Sequence, residues 1–161
     1  MDLQFVYINL IHKFVTGRPM TIKELTDRVI VQKIIYLADI MGVYTGNFNF
    51  SWYKKGPYSP ALTRLLYNYA DDVGEPNKEY ELSKEVEEIL SPLKQIVSLT
   101  PSDLSESDWI ELVASLHYLY DENSGDSPDK IMNKLIEIKP KYSKSQLKNS
   151  WKVLEEMGLI D

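Results

Sequence analysis

Residues 27–41, DRVIVQKIIYLADIM, constrain the fold more than any other stretch. At about 100° per residue, Arg28, Gln32 and Asp39 fall inside a stripe of roughly 40°, and almost every other position is apolar. A helix patterned in this way must be covered on most of its circumference, which predicts a central buried helix with one narrow wet edge. Lys33 departs from the pattern. It points about 100° away from that stripe, between Val29, Leu37 and Ile40, where an ammonium survives only by snorkelling or by pairing with an acceptor. Two roles fit it: a structural lysine whose amine reaches a helix-end carbonyl, or a lysine at the floor of a partner-binding groove.

The remaining chain reads as further helices and a little sheet. Leu3, Tyr7, Leu10 and Phe14 give residues 2–15 helical spacing, stopped by Gly17, Arg18 and Pro19. Phe48, Phe50 and Trp52 alternate with polar neighbours, so residues 47–53 are expected to form a strand with Trp52 facing inward. Residues 54–59 contain Gly56 and Pro57 and are expected to form a turn projecting from the sheet. Ser59 followed by Pro60 then starts a helix with Leu62, Leu65, Leu66 and Tyr69 inside. Residues 79–82 are expected to add a short second strand. Ser83 caps the next helix, which Pro92 should kink or split. Ser105 with Asp108, Ser127 before Pro128, and Ser143 with Gln146 open three more helices, the last ended by Gly158. The expected architecture is mainly α, formally α+β: a helical domain around a central buried helix with a small antiparallel β-sheet.

At 161 residues the chain suffices for one packed domain, read here as residues 1–105 with a C-terminal helical extension, 106–161, packed on the same domain. Cysteine is absent, which excludes disulfides and thiolate metal sites and suits a reducing cytoplasm. Polar residues interrupt the first sixteen positions, and no later run is apolar for long enough to span a bilayer, so a cytoplasmic protein with no membrane partner is expected. The net charge of −6 is unevenly spread. Residues 71–90 hold eight acids against Lys78 and Lys84, whereas residues 130–152 hold seven lysines against Glu137 alone. Such runs usually form solvated helix faces, although they can also steer a partner.

The inventory for chemistry is thin. Neither a GxGxxG nor a GxxxxGK[ST] loop occurs, and the two histidines, His12 and His117, belong to no HExxH pair. His117 lies beside the apolar face of its helix, where a hydrogen-bonded core histidine is expected rather than a catalytic base. No catalytic residue, metal ligand or cofactor is assigned.

The stretch FSWYKKGPYS sets Tyr53 and Tyr58 beside Lys54 and Lys55 around a Gly-Pro step. Exposed aromatics next to lysines can anchor a protein interface or stack on bases. Gln32-Lys33-Ile34-Ile35-Tyr36-Leu37, followed by this aromatic stretch and then a helix, resembles the Panacea family, the SocA-like antitoxin domain of bacteria and phages, with its uncharacterised bacterial relatives. The likeness spans roughly residues 20–100. Many members carry an aromatic where this chain has Lys55 and a valine where it has Tyr58. The resemblance carries over Gln32, Lys33, Tyr36, Gly56 and Pro57, and assigns no catalytic residue. It implies an antitoxin or adaptor of a toxin–antitoxin kind that neutralises or delivers a partner protein, a toxin or a protease substrate.

Three functions follow as expectations. The first is a non-catalytic protein-binding module docking its partner through Gln32, Lys33, Tyr36, Tyr53, Lys54, Lys55, Gly56, Pro57 and Tyr58. The second is a DNA-binding regulator using the lysine-rich helix pair near residues 128–138 and 144–157, with Lys141, Lys144, Lys148 and Lys152 as contacts. The acidic total and the scarcity of arginine in those helices oppose it. The third is a small enzyme whose site is dispersed along the chain.

Overall fold

The computed structural model describes residues 2–160. It contains α1 (Leu3–Thr16), α2 (Leu25–Ile40), β1 (Ser51–Tyr53), β2 (Gly56–Tyr58), α3 (Pro60–Asn68), α4 (Lys84–Ser98), α5 (Glu106–Glu122), α6 (Pro128–Ile138) and α7 (Lys144–Glu156), with a single 3-10 turn after α3 at Ala70–Asp72. The protein is mainly helical, with one small antiparallel two-stranded sheet. Helix starts follow their caps. The hydroxyls of Ser59, Ser83, Ser105, Ser127 and Ser143 each accept from an amide in the first turn of the helix that follows.

Helix α2 is central, as its apolar circumference requires: every residue from Val29 to Ala38 is buried. α5 runs against it and carries the second buried axis of the molecule, contacting α4, α6 and α7 as well. Trp109 of α5 is fully buried, and its indole N–H donates to the Ile96 carbonyl of α4 at 2.8 Å. One apolar cluster runs through all seven described helices, from Phe5 to Ile160, so the C-terminal helices share the core of the N-terminal half.

Five expectations are corrected. The sheet is smaller than the alternation of residues 47–53 suggests: β1 begins only at Ser51, because Asn49 has φ 52° and the Phe48 carbonyl is taken by the Ser59 hydroxyl. No strand forms at residues 79–82. The partner of β1 is instead β2, built from the Gly-Pro step itself, with Trp52 opposite Pro57 and Tyr53 opposite Gly56. The turn is therefore Lys54–Lys55, while Gly56 and Pro57 are buried. Of the two outcomes expected at Pro92, a kink or a split, the split does not occur: α4 continues through it, with neighbouring Glu88 facing solvent, where water can satisfy a carbonyl freed by proline. Finally, the expected wet edge of α2 is dry at its middle, since the N-terminus of α3 covers Gln32.

Candidate functional site

The hairpin is held onto α2 and α5 by buried polar groups, and these explain the unusual positions in the sequence. Gln32 forms a two-way amide pair with Ser59: its Nε2 donates to the Ser59 carbonyl at 2.9 Å, and the Ser59 N–H donates to its Oε1 at 2.9 Å. The same Nε2 lies 3.0 Å from the Thr63 hydroxyl. Lys33 is 1 % exposed, and its ammonium donates to the Pro57 carbonyl at 2.8 Å. The acceptor is thus a strand carbonyl, where the structural one of the two roles that fit this lysine had a helix-end carbonyl. Burial draws the Lys33 pKa down to about 7, the carboxylate of Glu111 opposes that shift, and the positive charges of Lys139 and Lys55 add to it. Tyr36 sits apart from the hairpin tip. Its hydroxyl is 2.9 Å from His117 Nδ1, a hydrogen bond between two buried groups, and burial favours the neutral form of both. His117 is the hydrogen-bonded core histidine that its position predicts.

Behind the hairpin tip lies a second polar cluster that no short motif announces. Glu111, 1 % exposed in the middle of α5, accepts from the Tyr142 hydroxyl at 2.9 Å and pairs with Lys139 at 3.3 Å and Lys141 at 3.5 Å. Lys139 also donates to the Lys54 carbonyl at 2.9 Å and stands 5.6 Å from the centre of the Trp52 ring. The residue just beyond α6 therefore clamps the backbone of the hairpin turn. The one available sequence signal was an acid, Glu111, inside the apolar run WIELVAS.

On the opposite side of the hairpin is a cleft of about 320 Å³ between the first turns of α2, the hairpin and α3. Its wall is largely apolar: Ile22, Leu25, Val29, Leu66, Tyr53, Tyr58 and Tyr67 line it, together with Arg28, Gln32, Lys33, Lys54, Lys55 and Thr63. Leu25, Tyr53 and Tyr67 are 56 %, 55 % and 52 % exposed, so the mouth presents large apolar side chains to solvent. Tyr53 and Tyr58 pack ring on ring with centroids 5.3 Å apart, and the Tyr58 hydroxyl accepts from Thr63 at 2.9 Å.

Of the residues singled out from the sequence, Gln32, Lys33, Tyr53, Lys54, Lys55 and Tyr58 line this one cleft. Gly56 and Pro57 lie in its supporting strand, buried, and Tyr36 belongs to the core beneath. Arg28, Leu25, Thr63, Leu66 and Tyr67 were not anticipated as cleft residues. Leu25 and Tyr67 were detectable in principle as bulky apolar residues off the buried stripe of their helices. The lysines assigned to nucleic acid are split. Lys141 is engaged with Asp108 at 3.1 Å and with Glu111, and Lys152 stands 3.9 Å from Glu156, while Lys144 and Lys148 are exposed on α7. Among the described residues, no group of three or more His, Asp or Glu side chains is placed to hold a metal ion, and no helix is long and apolar enough to cross a membrane. In comparisons with protein families, curated proteins and solved structures, no match to this chain is found.

Proposed function

We propose that the chain is a non-catalytic protein-binding module, antitoxin-like or adaptor-like, which docks a partner protein in the cleft between α2, the hairpin and α3. The observation that supports this most is the exposure of Leu25, Tyr53 and Tyr67 around a concave apolar surface whose backbone is already fixed. Large apolar side chains are left in water at a cost of roughly 1.5–3 kcal/mol each relative to full burial, and grouping them at one cleft favours recognition over chance exposure. The scaffold supports the same reading. Lys33 ties Pro57, Gln32 ties Ser59 and Lys139 ties Lys54, so the hairpin loses little further entropy when a partner binds. The likeness of the QKIIYL and KKGPY stretches to the SocA-like antitoxins agrees with a protein partner.

The test is affinity capture from native cells with the parent chain and two variants, Tyr67→Ala and Lys144→Glu, read by mass spectrometry. A protein retained by the parent and by Lys144→Glu but lost from Tyr67→Ala supports the cleft. Retention by Tyr67→Ala with loss from Lys144→Glu moves the interface to α7 and refutes the assignment.

A further inference from the structure

The charge around the cleft is one-sided in a way the net charge of the chain conceals. Arg28, Lys33, Lys54 and Lys55 line it, and neither Asp nor Glu does, although the chain as a whole carries −6. Lys54 and Lys55 at the turn have no side-chain acceptor among the described residues. Arg28 uses Nη1 on the carbonyls of Ile22 and Lys23, at 2.9 and 3.1 Å, and has no carboxylate partner. The nearest buried counter-charge, Glu111, lies behind the hairpin and is already shared by Lys139 and Lys141. Cations on the rim of an apolar cleft, with no acid in its lining, create a positive potential over an oily surface.

We propose that the cleft takes a short acidic-apolar segment of a partner protein, whose apolar side chains pack on Leu25, Tyr53 and Tyr67 while its carboxylates face Lys54, Lys55 and Arg28. This rests on the docking role argued above and names its occupant. Apolar contact supplies the affinity, and the lysines select and steer acidic partners. A nucleic acid fits the surface less well. Its phosphates need cations spread along a track, while Ile22, Leu25, Val29 and Leu66 offer aliphatic wall to a polyanion.

A phage-displayed library of random short peptides, selected on the full chain and then measured on Lys54→Glu with Lys55→Glu and separately on Tyr67→Ser, tests this. All the changed side chains are exposed, and a thermal melt of each variant confirms its fold. Enriched peptides should combine Asp or Glu with Leu, Ile or Phe. They should bind the double lysine variant at least about tenfold more weakly, lose affinity on Tyr67→Ser, and weaken as salt is added. Peptides without acids that are lost on Tyr67→Ser yet indifferent to the lysine reversal would overturn the acidic occupant and leave the docking cleft standing. Failure to enrich any peptide, or enrichment of peptides indifferent to both variants, would overturn both. A labelled single-stranded oligonucleotide that binds the parent, is lost on lysine reversal and meets no competing peptide would also overturn both.

Discussion

Lys33 on α2 and Pro57 on β2 are joined by a buried hydrogen bond of 2.8 Å, from an ammonium to a strand carbonyl. The bond sits where a charged group is costly. The folded protein releases the Lys33 proton near pH 7, whereas the unfolded chain holds it to about 10.5. Between those values the unfolded state binds more protons, so stability must rise with pH through this window. Below about 7 the penalty of charging the buried amine is complete and constant. Lys33→Met removes that dependence. Urea denaturation of both proteins from neutral pH to pH 9.5 should show the parent gaining on the variant as pH rises, by an amount of order 3 kcal/mol. Parallel curves would show that the amine stays charged in the fold.

Gly56 is the tightest point of the hairpin. It has φ +91°, and a Cβ placed there would lie 2.3 Å from the hydroxyl of Ser115 on α5. Gly56→Ala is expected to cost about 3 kcal/mol or more, from the left-handed backbone and the collision together. Ser115 has a buried hydroxyl without a partner, so Ser115→Ala alone should be neutral or stabilising by up to about 1 kcal/mol. Combined, the two changes should recover the steric part of the loss and leave the backbone part. A double-mutant cycle by chemical denaturation measures the split, and strict additivity would mean that the strands and α5 do not approach as closely as this.

Lys139 couples the C-terminal helices to the hairpin turn through Lys54 and Glu111. Burial lowers its pKa while Glu111 holds it up, the balance expected of a paired buried cation. Lys139→Met leaves Glu111 with Tyr142 and Lys141 only, and should cost about 2–4 kcal/mol. The sharper readout is local: amide exchange across residues 51–58 should accelerate more than exchange in α1. Uniform acceleration throughout the chain would mean that Lys139 contributes only to global stability.

Leu25 and Tyr67 are exposed, so truncating either should change folding stability by no more than about 0.5 kcal/mol, while costing about 1–4 kcal/mol of affinity for a partner. Tyr58 is a poorer probe than its place in the sequence suggests. It is half-buried, packed against the Tyr53 ring at a tilt and bonded to Thr63, so Tyr58→Ala disturbs the cleft wall itself. Calorimetric melts set beside binding titrations separate the two effects, and a large drop in melting temperature for Tyr67→Ala would remove it from the interface.

The periodic features of the sequence translated well into structure. The apolar circumference of residues 27–41 located the central helix, serine caps marked five helix starts, and His117 was legible as a core residue. What failed depended on contacts distant in sequence. The alternation of Phe48, Phe50 and Trp52 specifies an extended chain but not its pairing partner, and the register was set instead by β2 fitting against α5 at Gly56. Gln32 looked wet because its own helix offers it no partner, yet Ser59, 27 residues later, completes its hydrogen bonds. Lys139 looked like one of a basic run because its acceptors, Lys54 and Glu111, lie in other elements. Much of the cleft was assembled from residues already singled out, but its apolar wall from Leu25 and Tyr67 appears only when α2 and α3 are brought side by side.

The most direct test of the docking account is hydrogen–deuterium exchange of the full chain, alone and with the partner recovered by affinity capture. The cleft model predicts slower exchange on binding in residues 22–29, 53–58 and 63–67, the three segments that line it, with residues 144–152 unchanged. Protection confined to residues 144–152, with the three cleft segments exchanging as in the free protein, would contradict it.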